Sequence, residues 1–215
     1  MEDNYRHKGM RKKLVDEIRK KGILDENLLS AINAIPRHLF LDSGFLEYAY
    51  EDKPFPIGSG QTISQPYTVA FQTQLLEVKP GDKILEIGTG SGYQACVLAE
   101  LGAKVFSIER QKKLFERTKQ LLTLFPYKIN LSYGDGYKGL PEEAPFDGIL
   151  ITAAAPEIPD PLLQQLKIGG YLVIPVGKGD VQTMLRITKL MNGKLKKETF
   201  GKFRFVPLLK DKAND

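Results

Sequence analysis

A glycine-rich turn directly after an apolar strand constrains the fold of this 215-residue chain more than any other feature. Residues 84–92 read Ile-Leu-Glu-Ile-Gly-Thr-Gly-Ser-Gly, and the next apolar run ends on Glu109, 21 residues after Gly88. Such glycines let a ligand lie directly on backbone N–H groups at a helix start, while a carboxylate ending the neighbouring strand can accept hydrogen bonds from ribose hydroxyls. The spacing therefore predicts a site for a nucleotide-like ligand.

The third glycine of a dinucleotide-binding fingerprint is missing, because that pattern needs glycine where the chain has Tyr93. A pyrophosphate site is therefore disfavoured. The segment Glu-Ile-Gly-Thr-Gly-Ser-Gly resembles instead the first motif of class I methyltransferases, whose cofactor S-adenosylmethionine is an adenosine without phosphates.

Strands and helices alternate through the middle of the chain. The pattern predicts strands at 83–88, 104–109, 128–133, 146–152 and 171–176, and helices at 91–101, 111–124 and from Asp160 to a stop at Gly169-Gly170. Short strands joined by helical crossovers imply a parallel sheet with right-handed connections. We expect an α/β fold with a doubly wound, mostly parallel sheet, as in Rossmann-like class I methyltransferases.

The two ends of the chain add helices and antiparallel strands to this core. Two amphipathic helices come first, the second capped by Asp25 and ended by Pro36, and a non-helical loop covers 51–66. Asn192-Gly193 predicts a hairpin joining 183–190 to 194–200, and 203–208 reads as one more edge strand. We expect a single domain over 1–215, divided into 1–66, 67–177 and 178–215.

Composition limits the classes of function without selecting one. The net charge of +5 leaves nucleic acid open as a partner, but no aromatic residues alternate with the basic runs, as single-strand binding would need. The only cysteine, Cys96, cannot form an intrachain disulfide, and neither a secretory signal nor an apolar span is visible. We predict a cytoplasmic protein that binds no nucleic acid, membrane or metal ion and works as a monomer.

Acidic residues near three strand ends are the first candidates for ligand contacts, because open α/β sheets bind ligands there. Glu109 is assigned to the ribose, with a plain surface acid as the alternative. Glu86 is assigned to a direct or indirect contact with the methionine ammonium, against a buried structural pair. Asp135 is assigned to the adenine edge, although it could simply form a turn.

Six further segments extend the resemblance to one family, the protein-L-isoaspartate O-methyltransferases. The similarity runs from the first helices to the segment Phe205-Val-Pro-Leu208. Its segments are Ile35-Pro-Arg-His-Leu-Phe-Leu41, Gly58-Ser-Gly-Gln-Thr-Ile-Ser-Gln-Pro66, the pair Tyr93-Gln94, Pro145-Phe-Asp-Gly-Ile149, Thr152-Ala-Ala-Ala-Pro156 and Gly169-Gly-Tyr-Leu-Val-Ile-Pro-Val-Gly177.

The resemblance implies methyl transfer from S-adenosylmethionine to the α-carboxylate of an L-isoaspartyl residue in damaged proteins and peptides. It makes Ser64 the catalytic residue. We expect a substrate site at Ser64, Tyr67 and Val206, although some members of the family have histidine where this chain has Tyr67, and Tyr67 could serve packing instead. The implied cofactor residues are Thr62, Ile63, Ser64, Glu86, Gly88, Thr89, Gly90, Gly92, Glu109, Asp135, Gly136 and Gln182.

The residues available fit this chemistry without a general base. A carboxylate is ionised near neutral pH, so it can attack a sulfonium methyl group once it is desolvated and placed in line with the sulfur. A hydroxyl and backbone donors in a closed loop could supply that placement. We therefore expect His7 and His38 to be structural or solvated and Cys96 to be a buried structural thiol.

Three rival functions remain open from the sequence. A nucleic-acid methyltransferase would need an Asn/Asp-Pro-Pro-aromatic segment where the chain has Thr152-Ala-Ala-Ala-Pro156, or a cysteine nucleophile, for which Cys96 is misplaced. A small-molecule methyltransferase would keep the same cofactor core. A non-catalytic binding module is the third, because a fold does not fix a function.

Overall fold

A seven-stranded sheet forms the centre of the protein. The structure is a computed structural model, and it describes residues 3–213. The helices are α1 (Tyr5–Lys20), α2 (Glu26–Ala34), α3 (Pro66–Leu76), α4 (Tyr93–Glu100), α5 (Lys112–Leu122) and α6 (Asp160–Gln165). The strands are β1 (Phe55–Gly58), β2 (Gln61–Ile63), β3 (Lys83–Ile87), β4 (Lys104–Glu109), β5 (Ile129–Tyr133), β6 (Phe146–Ile151), β7 (Leu166–Val176), β8 (Gln182–Lys189) and β9 (Leu195–Phe203).

The strand order of the large sheet is β5-β4-β3-β6-β7-β8-β9. The pairs from β5 to β7 are parallel, and β8 and β9 continue the sheet as antiparallel strands. The chain winds outward from β3 through β4 to β5 and then returns to the other side of β3 at β6. This order confirms the doubly wound fold and puts the reversal point, where such sheets bind ligands, between β3 and β6.

Alternate residues of β3 face two different layers of the core. Leu85 and Ile87 belong to a cluster that includes Leu162 of α6, whereas Ile84 packs in a cluster with Leu75 and other residues of α3 and α4. Because successive side chains of a strand point to opposite faces, the sheet is covered on both sides. The continuous apolar pattern of β3 follows from this double burial.

Helices α1 and α2 pack against each other, and α2 also packs against α3 and α4. The side chain of Asp25 caps α2 by accepting hydrogen bonds from the N–H groups of Asn27 and Leu28 at 3.0 and 3.1 Å. Leu28 and Ile57 lie in the same buried cluster, so the helices pack against the segment that follows them. The prediction of two N-terminal amphipathic helices is confirmed.

Three predicted details were wrong. The loop 51–66 contains an antiparallel hairpin of β1 and β2. The sequence did not predict this hairpin, because the three prolines of this segment are typical of loops without strands. Residues 169–170 lie inside β7 instead of ending α6, because the strand begins at Leu166. A Cβ on Gly170 would lie 2.5 Å from the carbonyl oxygen of Asp147, so this glycine serves close strand contact.

The predicted edge strand at 203–208 is the third difference. Strand β9 ends at Phe203, and the following residues run to the ligand-binding edge of the sheet. There the N–H of Ala154 donates to the carbonyl of Val206 at 2.8 Å, and the N–H of Leu208 donates back to Ala154 at 2.7 Å. Backbone hydrogen bonding to residue 154 therefore replaces pairing at the sheet edge.

In the part of the chain that is described, no helix has both the length and the apolar composition that a membrane crossing requires.

Candidate active site

A cleft of about 800 Å³ opens at the carboxyl ends of β3, β4 and β6. We call it the first cleft. It is bounded by the glycine turn after β3, Glu109 at the end of β4, Thr152 after β6, and residues from two other segments, 61–64 and 206–209. Eight of the predicted cofactor residues line it: Thr62, Ile63, Ser64, Gly88, Thr89, Gly90, Glu109 and Gly136.

The backbone of the glycine turn is fixed by the neighbouring strand. The N–H groups of Gly88 and Thr89 donate to the carbonyl of Ile108 at 2.9 and 3.1 Å. Gly88 has a φ of +98°, and a Cβ there would lie 2.5 Å from Oγ1 of Thr152. Only glycine combines this left-handed conformation with such a close approach, so the turn leaves room for a ligand directly against the backbone.

Glu109 is almost completely buried at the edge of the first cleft. One carboxylate oxygen accepts a hydrogen bond from the N–H of Gln111 at 2.8 Å, and the other accepts from the N–H of Gly90 at 2.9 Å. Burial raises the pKa of Glu109, and these backbone donors oppose the rise. Each oxygen keeps a further lone pair, so the carboxylate is held in place to accept hydrogen bonds from a diol.

Glu86 does not line the first cleft, because its side chain is fully buried within the sheet. The hydroxyl of Ser107 donates to its Oε2 at 2.5 Å and lies 2.6 Å from the hydroxyl of Thr89. Burial raises the pKa of Glu86 to about 8. The carboxyl group is therefore mainly neutral at pH 7, and its connection with the glycine turn runs through Ser107 and Thr89.

Replacing Glu86 by glutamine should stabilise the cofactor-free protein more at pH 8 than at pH 5. The folded pKa of about 8 lies above the ordinary value of 4.5. Between these values the unfolded chain releases the proton and the folded protein retains it, so the free energy of unfolding falls as pH rises through this window. Glutamine has no proton to lose. Thermal melts at both pH values measure the difference, and Glu116→Gln on the exposed face of α5 is the control. An equal change in melting temperature at pH 5 and pH 8 would contradict the buried neutral carboxyl.

Three other predicted cofactor residues lie just outside the cleft lining. Gly92 caps α4 with a φ of +85°. The side chain of Asp135 accepts a hydrogen bond from the N–H of Tyr137 at 2.9 Å, which forms a turn. Gln182 accepts from the N–H of Phe205 at 3.0 Å and so holds the segment after β9. These contacts shape the walls around the first cleft.

A second cleft, with a volume of about 1120 Å³, adjoins the first. The two share Thr62, Ser64, Thr152 and Val206. All three predicted substrate residues, Ser64, Tyr67 and Val206, line this second cleft. Ser64 therefore lies where the two clefts meet.

Several cleft residues were missed by sequence reasoning or left without a role. Thr152 was a candidate because it follows a strand, but no role was assigned to it, although it borders both clefts and its hydroxyl donates to the carbonyl of Gly88 at 2.8 Å. Residues 202–205 had no signal in the sequence, because they approach the second cleft only through the folding of the sheet.

The histidines and the cysteine lie away from both clefts. Cys96 is fully buried, and burial raises the pKa of its thiol. His38 is also fully buried, and its Nδ1 lies 2.7 Å from the hydroxyl of Tyr50. Burial lowers the pKa of His38 to about 4, so the ring is neutral at pH 7. These observations agree with structural roles.

The fold also brings together Asp3, His7 and His38, which sequence spacing did not associate. One potential metal-ligand atom of each lies within 4.8 Å of the others. Both carboxylate oxygens of Asp3 accept hydrogen bonds from Arg11 at 3.0 Å. Because this guanidinium already neutralises the carboxylate, the cluster has the character of an ion pair next to stacked imidazoles.

Comparison with known proteins assigns the chain to a family. The family model for protein-L-isoaspartate(D-aspartate) O-methyltransferase matches residues 9–213. The protein-L-isoaspartate O-methyltransferase of Christiangramia forsetii is 60% identical over 213 residues, covering 99% of this chain and 100% of the relative. The enzyme of the same name from Flavobacterium psychrophilum is 59% identical over 213 residues, which cover 99% of this chain and 100% of that relative.

Solved structures show the same relationship. A protein-L-isoaspartate O-methyltransferase superposes with a TM-score of 0.84 at 30% identity, covering 95% of this chain and 67% of the other. A Plasmodium falciparum structure described as a putative member of this family, in complex with S-adenosyl-L-homocysteine, superposes with a TM-score of 0.81 at 26% identity. It covers 95% of this chain and 99% of that chain.

Proposed function

The chain belongs to the protein-L-isoaspartate(D-aspartate) O-methyltransferase family, and from that premise we propose which residues perform each part of its reaction. The enzyme transfers a methyl group from S-adenosylmethionine to the α-carboxylate of L-isoaspartyl residues in damaged proteins and peptides. The backbone nitrogen of the next residue then attacks the ester carbonyl, which releases methanol and forms a succinimide, and hydrolysis of the succinimide returns some normal aspartate.

The first cleft holds the cofactor. Two observations support this assignment: the glycine turn has no space for a side chain at Gly88, and the Glu109 carboxylate presents acceptor oxygens to the cleft. When bound, S-adenosylmethionine supplies an electrophilic methyl group on its sulfonium. Glu109 accepts hydrogen bonds from the ribose hydroxyls, and the backbone at 88–90 lies against the cofactor.

The second cleft holds the isoaspartyl peptide, and Ser64 orients the reacting carboxylate. The observation that carries this proposal is the position of Ser64 at the junction of the two clefts. The Ser64 hydroxyl donates a hydrogen bond to the carboxylate, which is already ionised and needs no general base. No histidine or cysteine among residues 3–213 lines either cleft, in agreement with a reaction that depends on placement.

The substrates of this enzyme are proteins and peptides and not nucleic acids. The enzyme acts as a monomer in the cytoplasm. The second cleft is lined by Tyr67, Phe203 and Phe205 together with Lys202 and Arg204. This mixture suits an extended peptide with a free carboxylate. Light scattering that shows a dimer would contradict the monomer, and cell fractionation would test the compartment.

Replacing Glu109 by alanine should weaken the binding of S-adenosylhomocysteine by about 1.5–3 kcal/mol, the scale for hydrogen bonds to a charged group. Calorimetry measures the affinity directly, and thermal melts should show a reduced ligand-induced shift. The control is Glu116→Ala, which removes an exposed acid from the next helix. Because Glu109 also binds two backbone N–H groups, affinity is compared per folded molecule. Normal affinity in Glu109→Ala would contradict the ribose assignment.

A further inference from the structure

We propose that Arg37 and Asp52 are positioning residues that hold the segment 64–67 from two sides and so fix Ser64 at the junction of the clefts. We call this pair the loop clamp. The inference rests on the proposed function of the second cleft, and it assigns a role to two residues that line neither cleft.

Arg37 is a fully buried cation whose hydrogen bonds go to the backbone of the active-site region. Its Nη2 donates to the carbonyl of Ser64 at 2.8 Å and, more weakly, to the carbonyl of Lys53 at 3.4 Å. Its guanidinium carbon lies 4.9 Å from the centre of the Tyr93 ring, which borders the first cleft. One side chain thus contacts a wall of each cleft.

Stability alone does not account for this arginine. Within residues 3–213, its Nε and Nη1 have no hydrogen-bond partner. Burial lowers the pKa of Arg37 to about 10, so the guanidinium remains charged at neutral pH. Burying a charge with few hydrogen-bond partners costs free energy. Its hydrogen bond to the Ser64 carbonyl indicates that it holds the backbone of Ser64 in position.

Asp52 holds the other end of the same segment. Its Oδ1 accepts a hydrogen bond from the N–H of Tyr67 at 2.7 Å, at the start of α3. Its Oδ2 accepts from the side-chain amide of Gln65 at 2.9 Å and from Lys21 at 2.5 Å. Arg37 therefore fixes the carbonyl of Ser64 while Asp52 fixes the next residues, which leaves the peptide units between them little freedom.

The clamp predicts a selective kinetic defect. If residues 64–67 shift, the hydroxyl of Ser64 and the ring of Tyr67 no longer match the peptide in the second cleft. Displacement of reacting groups by about 1 Å can cost on the order of a hundredfold in rate. Glu109 and the glycine turn belong to other strands and should keep their cofactor contacts, so cofactor affinity should fall less than kcat/KM.

The test compares Arg37→Met with Arg37→Lys, which retains a donor and a charge. We expect kcat/KM for an isoaspartyl peptide to fall about 10- to 100-fold in Arg37→Met and less in Arg37→Lys. The dissociation constant of S-adenosylhomocysteine should stay within about threefold of wild type. Activity is expressed per cofactor-binding site, so unfolded protein does not contribute.

Arg11→Met is the matched control, because Arg11 is also a buried arginine but binds Asp3, Tyr50 and the carbonyl of Asn33. It should lower the melting temperature with kcat/KM within about threefold of wild type. An Arg37→Met enzyme that retains wild-type kcat/KM would overturn the clamp. The same kinetic loss in Arg11→Met would also overturn it.

Asp52→Ala tests the clamp even if Arg37→Met does not fold. We expect the same selective loss of kcat/KM, with Glu17→Ala as its control, because Glu17 shares Lys21 with Asp52 but does not contact the loop. Wild-type kinetics in Asp52→Ala would refute the proposal. A fully active Ser64→Ala would remove only the proposed role of the hydroxyl, because the clamp acts on the backbone of residues 64–67.

Discussion

The purified protein should methylate an L-isoaspartyl peptide at least about 100-fold faster than the same peptide with L-aspartate. In the isoaspartyl peptide the main chain leaves through the side-chain carbonyl, so the α-carboxylate is free and one methylene closer to the backbone. The aspartyl carboxylate sits on a longer arm, and a displacement of this size moves it out of line with the sulfonium methyl group. We expect the junction of the clefts at Ser64 to impose this geometric requirement, because Ser64 lines both clefts.

Transfer of radioactive methyl groups from labelled S-adenosylmethionine measures this discrimination. A third sample with bulk RNA tests the rival activity that the net charge of +5 left open. Comparable rates on the two peptides would contradict the proposed substrate geometry. Faster labelling of RNA than of the isoaspartyl peptide would overturn the preference for protein substrates.

Replacing Ser64 by alanine should lower methyl transfer about 10- to 1,000-fold and lower cofactor affinity much less. Ser64 lines both clefts, and in the proposed mechanism its hydroxyl orients the carboxylate, so its loss should affect the chemical step. Activity should not disappear, because an ionised carboxylate next to a sulfonium retains proximity and intrinsic reactivity. Single-turnover kinetics at saturating cofactor measure the rate.

A denaturant melt of Ser64→Ala separates this role from a purely structural one. If Ser64 only stabilised its turn, alanine would cost about 1 kcal/mol of stability and the transfer rate per folded molecule would stay at the wild-type level. Ser43→Ala, on the exposed surface, is the control for the substitution itself. An unchanged transfer rate would exclude Ser64 as the orienting residue.

The sheet and the ligand-binding edge were predictable because they depend on local patterns. Apolar runs of five or six residues separated by amphipathic helices specify parallel strands, and residues after such strands gather at one edge. This argument led to Gly88 and Glu109, which both line the first cleft. It also led to Glu86, which is fully buried and does not line the cleft. A strand pattern alone does not show whether a side chain faces a cleft or the core of the protein.

Local signals failed where contacts between distant segments override them. Residues 169–170 look like a helix end, yet strand contact at Asp147 makes this glycine pair part of β7. The segment after Phe203 looks like an edge strand, yet hydrogen bonds with Ala154 draw it to the active site. Neither outcome can be read from neighbouring residues.

The fold class, the cofactor motif and the family resemblance follow from the amino-acid sequence alone, since each depends on residue spacing along short stretches of the chain. The tertiary structure alone decided that Ser64 lies between two clefts and that Arg37, 27 residues earlier, binds its carbonyl. It also decided that Glu86 is buried behind the cleft. The physical reason is that burial and hydrogen-bond partners depend on which distant segments pack together, and hydrophobic periodicity specifies only which face of each segment is buried.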